Sequence, residues 1–184
     1  MNTFELRKIV LKRQVINMIT QMQLDAAVRE AYDHAHACCH YGPTDRSFPV
    51  GEDGIMDCTG LMLRALWWAG LINEPLNCDQ IDQMMSRLGF VKSEDIEDAY
   101  RYHGFVQWVQ PQWVGSEHVH HTYYSLGGDG RTISKYDTGS DARIQAAQPF
   151  VGVPVDEWGG RLVFKHMWIL PEAPDKSIYL KIGG

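Results

Sequence analysis

Positive charge is scarce in this chain. Its 184 residues carry 17 Lys and Arg against 23 Asp and Glu, a formal net charge of −6. A nucleic-acid binder needs a concentrated basic face to neutralise phosphates. The only cationic cluster, Arg7, Lys8, Lys12 and Arg13, is small and reads as a solvated helix face, so nucleic acid is not an expected partner. Long apolar runs are missing as well. No stretch approaches the roughly 18 uninterrupted apolar residues that a membrane span needs. The N-terminus lacks the basic, apolar and small-residue order of a secretion signal, which makes the cytoplasm the expected location for the chain as given. Cysteine is sparse: Cys38, Cys39, Cys58 and Cys78 include an adjacent pair. A domain with a sizeable core does not need staples, so they read as thiols rather than a disulfide framework.

What is present is ordinary globular material, 45% apolar and 22% charged, enough for one compact domain. Apolar residues at helical spacing predict an amphipathic helix over residues 5–22 and a second from Leu24 to about His40. A loop rich in turn residues follows, from Tyr41 to Gly54. A third helix is expected from about Asp57 to Gly70. A fourth, capped by Asn77 or Asp79, should run through Leu88 to Gly89, and a short fifth lies within residues 93–102. Beyond Gly104 the pattern becomes β-branched and aromatic. Strands are predicted at Phe105–Val109, Val119–Leu126, Thr132–Tyr136 and Leu162–Leu170, with a turn at Gly127–Gly130. Helices first and strands second predict an α+β domain with an antiparallel sheet. The expected organisation is a helical extension over residues 1–23, a domain over 24–175 and a tail over 176–184.

Cys58 is the residue with the clearest chemical setting. It follows a glycine-containing loop and falls at the first turn of an apolar helix, where unpaired N–H groups and the helix dipole favour a thiolate. Its neighbours Asp57, Thr59 and Gly60 are small or polar and leave room for a substrate and for donors to an oxyanion. A cysteine nucleophile needs an imidazole. The segment from Glu117 to Leu126 supplies His118, His120 and His121, and strand alternation puts His121 on the face opposite the other two. Periodicity leaves open which face meets Cys58.

Asp57-Cys58-Thr59-Gly60-Leu61, followed by a helix ending Trp68-Ala69-Gly70-Leu71, resembles the signature of the NlpC-type cell-wall cysteine peptidases and amidases, a pared-down papain-like superfamily. His40-Tyr41-Gly42 resembles that family's lead-in, and His121 through Gly127 resembles its histidine strand, in which the base lies five residues before a Leu-Gly turn. The resemblance spans residues 25–170. It implies a papain-like core, Cys58 as nucleophile, His121 as base and a third polar residue at Ser134 or Asp137. Serine orients an imidazole weakly, whereas an acidic Asp137 would hold its tautomer well. The resemblance also implies Asp57, Thr59 and Tyr41 as substrate-binding residues and a peptidoglycan stem peptide or similar amide as substrate. No cofactor and no metal are implied. Action at the cell wall or outside the cell would follow only from export or release.

Two rival readings accompany this one. A non-catalytic, peptide-binding relative would keep the fold and lose efficient chemistry through a weak third residue. A zinc hydrolase would draw on His36 and His40, four apart on a helix, with Glu117, His118 and His120, although no Cys-x-x-Cys or His-Glu-x-x-His spacing is present. His166, in the last strand, reads as a packing residue or as an alternative to His121. Oligomeric state is not indicated by the sequence.

Overall fold

The structure is a computed structural model that describes residues 19–42, 48–74, 76, 80–127, 131–134, 143–146 and 161–171. Helix α1 (Gln21–Cys38) begins at a capping box: the Thr20 hydroxyl accepts from the Gln23 N–H, and the Gln23 side chain accepts from the Thr20 N–H at 2.8 Å. That reciprocal cap starts the helix ahead of Leu24. Its buried stripe, Leu24, Ala27, Val28, Ala31 and Ala35, follows the predicted spacing. Of the helix expected over residues 5–22, residues 5–18 lie outside the described residues and Gln21 and Met22 belong to α1. The tail over 176–184 also lies outside them.

Two short strands, β1 (His40–Tyr41) and β2 (Ile55–Met56), pair in parallel and lead into α2 (Cys58–Trp68). Asp57 caps α2, and the chain leaves it at Ala69 and Gly70, close to both predicted limits. Helix α3 (Ile81–Leu88) follows Gln80, which makes no side-chain cap bond. The caps expected at Asn77 or Asp79 lie outside the described residues. Gly89 closes α3 in the left-handed region with φ 86°, where a glycine carries no Cβ penalty.

After α3 come β3 (Val91–Ser93), α4 (Asp98–Arg101), β4 (His103–Val109), a 3-10 turn at Pro111–Trp113 and β5 (His121–Leu126). Then follow β6 (Arg131–Ser134), β7 (Arg143–Ala146) and β8 (Val163–Ile169). Among the described residues six strands form one antiparallel sheet in the order β3-β8-β4-β5-β6-β7. The α+β expectation is therefore met, with helices first and an antiparallel sheet after.

Strand β4 is buried along its whole length because both of its faces are covered. Phe105 shares one face with its register partners Tyr124 and Trp168, and all three join Leu24, Leu61 and Leu66 of the helices in the main core. Val106 and Trp108 look the other way, into a smaller cluster with Ala99, Leu162 and Met167. Aromatic edges lock the main core, with Phe105 and Tyr124 ring centroids 4.9 Å apart.

Candidate active site

Cys58 is the first residue of α2 and is only 6% exposed. Asp57 explains why a helix starts there: its Oδ1 accepts from the Gly60 N–H at 2.6 Å, and its carbonyl accepts from the Leu61 N–H at 3.1 Å. The Asp-Cys-x-Gly spacing thus reads as N-cap, first, second and third helical positions. Thr59 and Gly60 are buried beside Cys58. Tyr41 reaches the same neighbourhood through the β1–β2 ladder, where it lies opposite Met56, two residues before Cys58.

A buried cation braces this segment. Arg64, on α2, donates to the Val50 carbonyl at 2.9 Å and to Glu52 Oε1 at 3.0 Å, and pairs with Glu30 of α1 at 3.0 Å. From the other side, the His34 Nε2–H and the Cys39 thiol donate to the Gly51 carbonyl at 3.1 and 3.5 Å. The loop that delivers Cys58 is therefore tied to both α1 and α2. Arg64 escaped the sequence reading, although a lone Arg inside Leu61-Met62-Leu63-Arg64-Ala65-Leu66 already demands buried partners.

His121 opens β5, opposite Trp108, and is 8% exposed. Burial, helped by the neighbouring charge of His120, lowers its pKa to about 4. It is thus an uncharged imidazole at neutral pH, a state that accepts a proton. Helix α2 packs on β5, so the elements carrying Cys58 and His121 are neighbours. The alternation predicted for this strand holds. Thr122 and Tyr124 face the helices, while His121 shares its face with Tyr123, ring centroids 6.5 Å apart, and with Trp108. Ser134 is the last residue of β6, paired through its backbone with Arg143; its side chain and all of Asp137 lie outside the described residues.

A second histidine has a defined carboxylate. His166, in β8 opposite Gln107, is 1% exposed, and its Nε2–H donates to Asp82 Oδ1 of α3 at 2.9 Å. Lys165 Nζ donates to the other oxygen, also at 2.9 Å. Burial works to raise the Asp82 pKa, but the bonds from His166 and Lys165 outweigh it and hold the carboxyl below its ordinary value. The 84-residue separation of this pair leaves no local signal in the sequence.

Three other histidines have separate occupations. His36 stacks on Tyr32 at 5.9 Å, and His118 lies 5.6 Å from the exposed Trp113. His103 Nδ1–H donates to Asp25 at 2.8 Å, beside the Tyr124 hydroxyl, which donates to the same carboxylate at 2.7 Å. Among the described residues no group of three or more His, Cys, Asp or Glu is gathered to hold a metal ion. Compared with known proteins, the chain matches no family model and no curated sequence.

Proposed function

We propose that the chain is a papain-like cysteine hydrolase of peptide amides, with Cys58 as nucleophile and His121 as base. The observation that carries the reading is the seat of Cys58 at the first turn of a buried, capped helix. His121 is the base by the resemblance alone, since its side chain lies on the face of β5 opposite the one that Thr122 and Tyr124 turn to the helices. First-turn N–H groups favour a thiolate and can donate to an oxyanion. In the reaction His121 takes the thiol proton as the sulfur bonds to the carbonyl carbon. The proton passes to the leaving amine as the C–N bond breaks. Water then attacks the thioester, with His121 accepting its proton and returning it to the Cys58 sulfur as the C–S bond breaks. Ser134 or Asp137 is the orienting residue of this reading. Thr59 and Tyr41 line the substrate, while Asp57 combines that role with its cap. The resemblance to the NlpC-type enzymes makes a peptidoglycan stem peptide the substrate of choice.

One observation favours a second assignment of the base within the same chemistry. His166 lies on the helix-covered face and already has Asp82 as an orienting carboxylate.

Hydrolysis of peptidoglycan fragments by the full chain and by Cys58→Ala, His121→Ala and His166→Ala variants tests the reading. Cys58→Ala is expected to abolish turnover, and a fully active variant would overturn the nucleophile. If His121 is the base, its variant loses at least 10²-fold in kcat/KM, and the acid limb of the wild-type profile falls near pH 4. The same loss confined to His166→Ala assigns the base to the Asp82 pair. Substrate binding without turnover in the wild type would mark a peptide-binding relative instead.

A further inference from the structure

Gln107 lies on β4 in the interior of the sheet, directly opposite His166 of β8 and Thr122 of β5, and is wholly buried. It shares the helix-covered face with Phe105, His166 and Trp168. One bond orients its amide: Oε1 accepts from the Trp168 indole N–H at 3.3 Å. Nε2 is left with no hydrogen-bond partner among the described residues. A methionine would fill the same space without stranding a buried donor, so packing alone does not account for an amide here. The indole that Gln107 holds has a second contact. Its ring meets the His166 ring edge to face, with centroids 5.1 Å apart and planes at 84°. The His166 Nε2–H donates to Asp82 Oδ1 at 2.9 Å. An ionised carboxylate only accepts, so the proton is on Nε2 and the lone pair of the uncharged ring is on Nδ1.

We infer that Gln107 is a positioning residue for His166, holding Trp168 against the imidazole so that Nδ1 is kept as the lone-pair nitrogen. The inference rests on His166 as the base of the proposed reaction. Turning the imidazole over would break its bond to Asp82 and push on the Trp168 ring, which Gln107 fixes through the indole N–H. The unpartnered Gln107 donor works in the same sense. An imidazole N–H turned toward it would meet a second donor, whereas a lone pair would be accepted.

Long-range ¹H–¹⁵N spectra of the full-length protein read the His166 tautomer directly, and turnover of peptidoglycan fragments reads the consequence. Wild type is expected to show a single Nε2–H form. Gln107→Met, close in size, should mix the two tautomers and lower kcat tenfold or more, with KM within twofold. Trp168→Phe cuts the same link from its other end and should act alike. The double variant should then lose no more than either single one. In a His166→Ala background, Gln107→Met should lower kcat no further. One tautomer and wild-type kcat in Gln107→Met would overturn the proposal, as would additive losses in the double variant. If His166→Ala keeps full activity the base assignment fails, and the tautomer spectra alone decide whether Gln107 positions the ring.

Discussion

His121 enters the interior uncharged, and the unfolded chain is under no such constraint. Its folded pKa of about 4 lies below the ordinary 6.5, so between those values the unfolded state binds more protons. The associated stability is fully present above pH 6.5 and drains away as the pH falls toward 4, by about 3 kcal/mol at 1.36 kcal/mol per unit. Urea unfolding at pH 7 and pH 4 measures this. The His121→Asn variant should lose about that much less on acidification, and an unchanged loss would contradict the burial account. Asp25 and Asp82 act later. Hydrogen bonds from His103, Tyr124 and Gln21 outweigh the burial of Asp25 and hold it below its usual pKa, as those from His166 and Lys165 do for Asp82. Their stabilisation is present above about pH 3.8 and is lost as the pH falls through their folded values. The residue-level features legible in the sequence were the local ones. Asp57 and Gly60 spell a helix start around Cys58 within four residues, whereas Asp82 with His166 and Asp25 with Tyr124 are joined only by the fold.

At the level of elements, α2 and the loop before it behave as one unit because Arg64 spans them. Arg64→Leu would strand Glu30 beside an apolar surface and release Val50 and Glu52. Removing one partner of a buried pair costs about 3–5 kcal/mol, and the partial exposure of Glu30 and Glu52 reduces that to about 2–3 kcal/mol here. Chemical denaturation measures the loss, and hydrogen exchange should show residues 50–56 opening before α2. Uniform exchange along α2 and the loop would mean that Arg64 is not the brace. The long elements were legible because each has a strong period. The α1 stripe and the apolar α2 were found close to their observed limits, and the Thr20-x-x-Gln23 box was a signal present and overlooked. The short strands β3 and β7 were not. Val91, Lys92 and Ser93 are part exposed and too few to display alternation, and β3 exists only because Ile169, Trp168 and Met167 offer a ladder to it.

On the scale of the whole molecule, β4 is the member on which both cores depend. Gly104 allows it to lie close to β8: a Cβ there would collide with the Trp168 carbonyl oxygen and approach Met167 Cε to 2.8 Å. Gly104→Ala is therefore expected to cost about 3 kcal/mol, as overpacking against backbone does, and a thermal melt within 1–2 °C of wild type would refute it. A polar tie through Asp25 supplements the apolar packing of α1 on the sheet. Tyr124→Phe removes one donor from Asp25 and should cost about 1–2 kcal/mol. The same substitution should leave any Cys58 chemistry untouched, which separates a fold-wide effect from a local one.

The strand order carries a consequence for biosynthesis. The last described strand, β8, is inserted between β3 and β4, so the sheet has a gap one strand in from its β3 edge until residue 169 leaves the ribosome. A nascent chain ending near residue 160 would expose one unpaired edge of β4 and leave β3 with no neighbour, open to mispairing with other chains. Ribosome-bound chains stalled before and after β8 emerges should differ sharply in protease resistance. The closing strand thus sets when, during synthesis, the protein can first exist as a folded body.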